Sequence, residues 1–196
     1  MAKEPTSAER EAAAAAAAMI AGGRERWSKA LAQAEASFGV RPSEALVASE
    51  IRRWCALFMP EEHRAMLRRK REAALSVMQA LAEWEPVLTG HVLSGAATAD
   101  TAVTVAVRTD DEKGVELSLL SLGVEFDVLD ASGEGRRSSV SLLSECRGEN
   151  VVITVASSYP PGRTAEPDAW QHPLEARARI DAAALERLLE DARSED

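Results

Sequence analysis

Apolar residues recur every three or four positions through the first 84 residues, which predicts a series of amphipathic α-helices. Four helices are predicted: an alanine-rich one around 12–18 that Gly22-Gly23 ends, and helices over 27–39, 42–58 and 60–84. Their apolar stripes are Trp27, Leu31, Ala34 and Phe38; Val47, Ile51, Trp54, Cys55 and Phe58; and Leu67, Ala74, Met78, Leu81 and Trp84. We interpret the three tryptophans as core residues. Because alanine favours helix but buries little surface, we expect the first helix to be loosely docked.

Beyond Pro86 apolar and polar residues alternate, which predicts short β-strands. The predicted strands cover 86–90, 102–108, 124–129, 138–146 and 150–156, and two further helices cover 110–122 and 180–192. The stripes of those helices are Val115, Leu119 and Leu122, and Leu185, Leu188 and Leu189. In the second strand, the valines at 103, 105 and 107 face one way, and Ala102, Thr104 and Ala106 face the other. The strands at 138–146 and 150–156 are predicted to pair as antiparallel neighbours around Arg147-Gly148-Glu149. The segments 132–135 and 159–173 predict loops.

This change of pattern predicts an α+β fold. A helical N-terminal segment packs on a small mixed sheet, and a C-terminal helix closes the domain. We divide the chain into alanine-rich N-terminal helices at 1–40 and one domain at 41–196. That domain contains helices at 42–84, a sheet core at 86–156, and a Pro-rich loop with the C-terminal helix at 157–196.

Charge is distributed unevenly. The net charge is -9, which argues against general nucleic-acid binding through phosphate contacts. Residues 1–85 carry 13 Lys/Arg and 12 Asp/Glu, whereas residues 86–196 carry 10 and 20. On the fourth helix Arg64, Arg68 and Arg71 share a face. A solvated face is the usual meaning of such a cluster, and a surface for an anion or an acidic partner is the alternative. The acidic second half of the chain is a third source of counter-charge.

Several further classes of protein are excluded by what the sequence lacks. Its two cysteines, Cys55 and Cys146, cannot form a disulfide framework. The sequence contains no apolar run long enough to span a membrane, and its N-terminus is a poor signal peptide. The three histidines, His63, His91 and His172, lack ligand spacing, so no zinc-type site is expected. These features predict a cytoplasmic protein without a membrane partner. The oligomeric state stays open.

One pattern in the second half carries a resemblance. A predicted strand ends at Gly90, small residues follow in the sequence His-Val-Leu-Ser-Gly-Ala-Ala-Thr, and a second strand begins at Ala102. This resembles the entry to the nucleotidyltransferase (polymerase-beta-like) superfamily. It is more similar still to a group of poorly characterised proteobacterial nucleotidyltransferase-like proteins. The similarity runs from about 50 to 189 and is most specific at 86–97, at Thr109-Asp110-Asp111 with Lys113, and at 115–120.

The resemblance implies a phosphate or nucleotide loop, formed here by Gly90, His91, Ser94 and Gly95. It also implies metal-binding carboxylates at three positions, where this chain has Ala102, Thr104 and Val152. Two magnesium ions drive nucleotidyl transfer in the superfamily, and magnesium needs oxygen ligands, which carboxylates supply. Ala102 and Val152 offer none. A displaced carboxylate set would draw on neighbouring acids, and the candidates are Asp100, Asp110 and Asp111.

Three functions follow as hypotheses. The first is a catalytically degenerate nucleotidyltransferase-like protein that acts through a protein partner or a nucleotide and needs no cofactor. The second is an active nucleotidyltransferase that moves a nucleoside monophosphate to a small molecule or a protein. It requires Mg²⁺ on displaced carboxylates. The third is an assembly protein in which the N-terminal helices mediate the interaction and the sheet is scaffold.

Overall fold

A computed structural model describes residues 4–132, 139–158 and 179–194. The helices are α1 (Ser7–Ala21), α2 (Trp27–Phe38), α3 (Glu44–Phe58), α4 (Pro60–Ala80), α5 (Gly90–Ser94), α6 (Glu112–Ser121) and α7 (Ala182–Ser194), with a 3₁₀ turn at Ala82–Trp84. The strands are β1 (Val87–Thr89), β2 (Val103–Arg108), β3 (Phe126–Ser132), β4 (Ser139–Cys146), β5 (Glu149–Ala156) and β6 (Arg179–Ile180). The predicted α+β class, with a mixed sheet and a C-terminal helix, is confirmed.

The described residues form two compact units. The helical unit contains residues 4–67 and 94–101, and the sheet unit contains the remaining described residues. The boundary falls within α4, after Leu67, and the helical unit therefore continues past residue 40. The predicted loop at 133–135, the Pro-rich stretch at 159–173 and His172 lie outside the described residues.

The first helix is packed, and the expectation of loose docking was wrong. Ala12, Ala13, Ala16 and Ala17 are buried in the same core as residues of α2 and α3. Alanines at this spacing form one helix face, and side chains this small let neighbouring helices approach closely. Thr6 caps α1 because its hydroxyl accepts the backbone N–H of Glu9 and its own N–H donates to the Glu9 carboxylate.

The other predicted helices form, with local differences. α3 begins at Glu44 rather than at Pro42, because the Ser43 hydroxyl accepts the N–H of Leu46 and caps the helix there. Phe58, expected in the core, is 66% exposed, and the predicted core residues Phe38 and Leu122 are also exposed. All three tryptophans assigned to the core are partly exposed; they are Trp27, Trp54 and Trp84.

The sheet unit is built on one sheet with the order β3-β4-β5-β2-β1-β6. The β2–β5 pair is parallel and all other pairs are antiparallel. The predicted hairpin is confirmed: β4 and β5 flank Arg147 and Gly148, both of which have positive φ. That conformation defines the tight hairpin turn whose twist matches the strands. The short strand β6 was not predicted, and β3 begins at Phe126 rather than at 124.

The faces of β2 are those predicted from alternation. Val103, Val105 and Val107 are buried on one face, while on the other face Thr104 is partly exposed and the small Ala106 is buried. The valine face is continuous with the fully buried Ile153 of β5, since Ile153 pairs with Val105. Within the described residues, no helix combines the length and the apolar composition needed to cross a bilayer.

The two cysteines should differ in reactivity. Cys55 is almost completely buried, and this burial raises the pKa of its thiol above the ordinary value of 9.0. Because the thiolate is the reactive form, we expect a thiol reagent to modify the partly exposed Cys146 much faster than Cys55. The C146S variant should therefore lose the fast phase of labelling, and the C55A variant should keep it. Equal labelling rates would contradict this prediction.

The same pKa shift determines whether the free energy of unfolding rises or falls with pH. The unfolded thiol of Cys55 ionises at its ordinary pKa of 9.0, whereas the folded thiol ionises only at higher pH. Its stabilising contribution is therefore present below about pH 9 and is lost as the pH rises further. The difference in unfolding free energy between the wild type and C55A should shrink from about pH 8 to about pH 10.

Candidate functional site

The centre of the sheet aligns three residues in a row across β1, β2 and β5. Thr89 pairs with Thr104, and Thr104 pairs with Val152. The Thr89 hydroxyl donates to the Thr104 carbonyl oxygen at 3.3 Å. Partners in register lie on the same face of a sheet, so these side chains are neighbours. Ala102 immediately precedes Val103, the first residue of β2, and extending the alternation of the strand by one residue places it on the side of Thr104. We call Thr89, Ala102, Thr104 and Val152 the central row.

Gly90 follows this row directly and turns the chain out of β1. Its φ of +73° is left-handed, a conformation that glycine adopts without strain. A Cβ built on Gly90 would lie 3.7 Å from the Thr104 hydroxyl oxygen. The glycine turn therefore lies beside Thr104, the second residue of β2.

The chemistry available in the central row is neutral. It comprises two threonine hydroxyls, of which that of Thr89 is already bonded, and the aliphatic groups of Ala102 and Val152. The row offers hydrogen bonds from a hydroxyl but no charge. It lacks the carboxylate charge that makes binding of Mg²⁺ favourable.

The acids proposed as displaced ligands do not gather at the row. Arg108 ends β2 roughly 13 Å from Thr104 at the usual rise of a strand, and Asp110 and Asp111 lie beyond it. The Asp111 carboxylate accepts the N–H of Gly114 at 2.8 Å and caps α6. Asp100 is an exposed residue of the turn that precedes Ala102. Among the described residues, no group of three or more His, Cys, Asp or Glu side chains could hold a metal ion.

The four residues of the predicted phosphate loop are divided between the two units. Gly90 and His91 belong to the sheet unit, whereas Ser94 and Gly95 belong to the helical unit. The Ser94 carbonyl oxygen accepts a hydrogen bond from Arg52 at 3.3 Å. Gly95 is buried and His91 is partly exposed. The backbone of Ser94 is thus engaged with α3 inside its own unit.

Arg71 is a structural residue of the sheet unit rather than part of an exposed basic surface. Its guanidinium donates to the carbonyl oxygens of Val92 at 3.2 Å and Leu93 at 3.3 Å. These carbonyls lie in the last turn of α5, which leaves them without helical partners. Burial lowers the pKa of Arg71 to about 10, so it remains charged at neutral pH. Arg71 therefore fixes the segment that follows the glycine turn.

The other members of the basic cluster have acidic partners nearby. Arg64 forms an ion pair with Glu61, and the Nε of Arg68 lies 3.3 Å from a Glu72 carboxylate oxygen. On the same helix, the buried Lys70 lies 2.7 Å from Glu149 at the start of β5. One interpretation of the basic cluster was that the acidic second half of the chain supplies its counter-charge. Glu149 does so for Lys70.

The sequence did not identify the individual partners in two long-range polar contacts. The first is the Lys70–Glu149 pair, and the second is a cluster in which Glu72 contacts Arg147 and Arg193. Periodicity reports only neighbours along one element, and these partners lie on different elements.

No protein-family model matches the sequence, and a comparison with curated proteins finds no match. The chemistry of the central row therefore rests on the residues that form it.

Proposed function

We propose that this protein is a nucleotidyltransferase-like domain that has lost metal-dependent catalysis and acts by binding a protein partner or a nucleotide. The observation that supports it is the central row. The glycine turn after β1 and the pairing of Thr104 with Val152 on a later strand support this proposal. All three positions that would carry carboxylates have side chains that cannot replace them.

Without the carboxylates, nucleotidyl transfer lacks the ligands for the metal ions on which it depends. Nucleotidyl transfer depends on two divalent ions that activate the attacking oxygen and neutralise charge on the phosphates. One neutral hydroxyl, at Thr104, cannot hold two such ions against their hydration. Binding requires none of this chemistry and needs only a surface of suitable shape and charge.

Exposed apolar side chains favour a protein partner. Among the described strands β3 lies at an edge of the sheet, and its Val128 and Leu129 are 57% and 55% exposed. Leu117 and Leu120 on α6 are likewise exposed. Edge strands offer unpaired backbone groups, and exposed apolar patches mark interaction sites. The active-enzyme hypothesis has no comparable support, because its candidate acids do not meet.

The helix-mediated assembly hypothesis remains a prediction, but the fold limits how it can be examined. Deleting residues 1–40 would remove α1 and α2, whose buried faces complete the core of the helical unit. Loss of self-association after this deletion would therefore report unfolding of that unit as readily as loss of an interface.

Restoring the carboxylates is the sharpest test of the proposed function. The A102D/T104D/V152D variant should bind Mn²⁺, because three carboxylates would then share one face of the sheet. Mn²⁺ at about 100 times its Kd should stabilise this variant by about 2.7 kcal/mol, which thermal unfolding would measure. The A102N/T104N/V152N variant is the matched control, since it adds similar volume and polarity without charge, and it should show no Mn²⁺ effect.

Titration of the wild-type protein with ATP completes this test. We expect no binding that requires Mg²⁺. Binding without Mg²⁺ would support a nucleotide as the ligand, and no binding would support a protein partner. Binding of ATP that depends on Mg²⁺ would overturn the loss of catalysis. Equal responses of the Asp and Asn variants to Mn²⁺ would overturn the role of the central row.

A further inference from the structure

Three guanidinium groups from three different elements converge on one carboxylate in the sheet unit. Glu72 of α4 lies 3.3 Å from Arg68, 3.5 Å from Arg193 of α7 and 3.9 Å from Arg147 of the β4–β5 turn. Beside them is an open cavity of about 280 Å³. It is lined by Glu72, Leu75, Ser76, Gln79, Arg147, Leu189 and Arg193. We call this cavity the arginine pocket.

The arginine pocket has more hydrogen-bond donors than its one carboxylate can use. A guanidinium offers five N–H donors, whereas a carboxylate accepts about four hydrogen bonds. Arg147 and Arg193 each form one ion pair, with Glu72, within the described part of the chain. Both pairs are long, and both side chains are more than half exposed. Such pairs are weak, so their guanidinium groups can turn to a ligand at little cost.

Arg147 occupies a backbone position that does not favour arginine. Its φ is +55°, and the next residue, Gly148, has a φ of +77°. Two-residue hairpin turns with both φ values positive prefer Asn-Gly or Asp-Gly, because other side chains are strained there. The conformation of the turn therefore does not explain why this residue is an arginine. A positive charge beside the arginine pocket does explain it.

We propose that the arginine pocket binds the dianionic phosphate group of a small phosphate monoester. Arg68, Arg147 and Arg193 surround the Glu72 carboxylate, and Glu186 accepts a hydrogen bond from Gln79 of the lining, so positive charge exceeds negative charge at the pocket and favours an anion. Planar guanidinium groups match phosphate oxygens in bidentate geometry. Leu75 and Leu189 offer apolar contact to the organic part. The volume lies near the lower bound of roughly 300 Å³ for small-molecule sites, which selects a compact ligand.

This proposal is independent of the central row. The residues of the arginine pocket lie on α4, on the β4–β5 turn and on α7, and none belongs to the row of Thr89, Ala102, Thr104 and Val152. A variant that changes binding at one site should therefore leave binding at the other site unchanged. The A102D/T104D/V152D variant should bind the phosphate monoester as the wild type does.

The test is calorimetric titration of the full-length protein with phenyl phosphate. We expect binding with a Kd below about 1 mM, and weaker binding of inorganic phosphate, which lacks the apolar group. Phenyl sulfate, a monoanion of similar shape, should also bind more weakly. The R147N and R193Q variants should each lower the affinity for phenyl phosphate about tenfold, since each removes one charge-assisted contact.

The variants separate binding from folding. R147N replaces a strained residue with one that the turn prefers, so its melting temperature should be equal to or above that of the wild type. R187Q is the matched control, because Arg187 is an exposed residue of α7 outside the pocket. It removes the same charge and should change the affinity less than about twofold. The E72Q variant should bind more tightly, since it removes the negative charge that competes with the ligand.

Three outcomes would overturn the proposal. The first is no heat of binding with phenyl phosphate up to about 10 mM, roughly ten times the highest Kd expected. The second is binding that R147N and R193Q leave unchanged. The third is an equal loss in R187Q, which would indicate attraction to positive charge in general rather than to this pocket.

Discussion

Replacing Glu149 with alanine is expected to lower the free energy of unfolding by about 3 kcal/mol, the lower end of the range for breaking a buried ion pair. Lys70 is only 3% exposed, and its Nζ lies 2.7 Å from the Glu149 carboxylate. Without this carboxylate, the ammonium group stays in a site that water barely reaches. We place the effect at the lower end because Lys70 has a further interaction. Urea unfolding followed by circular dichroism would measure it.

Two variants show whether the pair itself is responsible. E145A removes an exposed carboxylate from β4, close to the same hairpin, and should change the free energy by less than about 0.5 kcal/mol. K70M/E149L replaces both charges with apolar groups and should recover most of the stability lost in E149A, because no buried charge is left without its partner. If E149A were as stable as E145A, the buried pair would contribute nothing measurable.

The elements of this fold could be predicted where local signals agreed. Gly39, with φ near +68°, ends α2 where the sequence indicated a stop. Alternation in β2 predicted which face is buried, since side chains of a strand alternate whatever its partners are. The Arg147-Gly148 turn was predictable for the same reason. Two apolar alternating segments separated by so few residues can pair only as a hairpin.

Burial at the ends of helices could not be predicted in this way. Phe58 lies on the apolar stripe of α3 but in its last turn, and it is 66% exposed. A stripe predicts which face is apolar, and it does not predict how far along the helix a neighbour covers that face. The edge strand β3 shows the same limit, because Val128 pairs with the fully buried Leu142 and is itself exposed.

The candidate site was predictable in part. The parallel register pairs Thr104 with Val152, the two positions that the resemblance aligned with metal ligands. The partners of Arg71 were not predictable, since its guanidinium contacts backbone carbonyls 21 and 22 residues away. Because every residue has a backbone carbonyl, the sequence does not indicate which carbonyls a side chain will bind. A basic residue on a helix therefore looks the same whether it faces solvent or holds a neighbouring turn.

The alanine run of α1 gives the second large effect. The loose docking expected from the sequence and the packed core seen in the structure predict effects of opposite sign. The A13L/A16L variant is expected to lower the free energy of unfolding by about 2–6 kcal/mol, because overpacking costs about 1–3 kcal/mol at each site. Ala13 and Ala16 are fully buried, and α1 shares its core with α2 and α3. Denaturant unfolding would measure the change.

A matched control isolates packing from helix propensity. Ala8 and Ala14 lie on the exposed side of the same helix, and leucine forms helix nearly as well as alanine. The A8L/A14L variant should therefore stay within about 0.5 kcal/mol of the wild type. If α1 were loosely docked, leucines at 13 and 16 would find room, bury additional apolar area and stabilise the protein. A gain in stability for A13L/A16L would thus contradict the packed core. A loss of stability in A13L/A16L but not in A8L/A14L would show that Ala13 and Ala16 lie where neighbouring helices are in close contact.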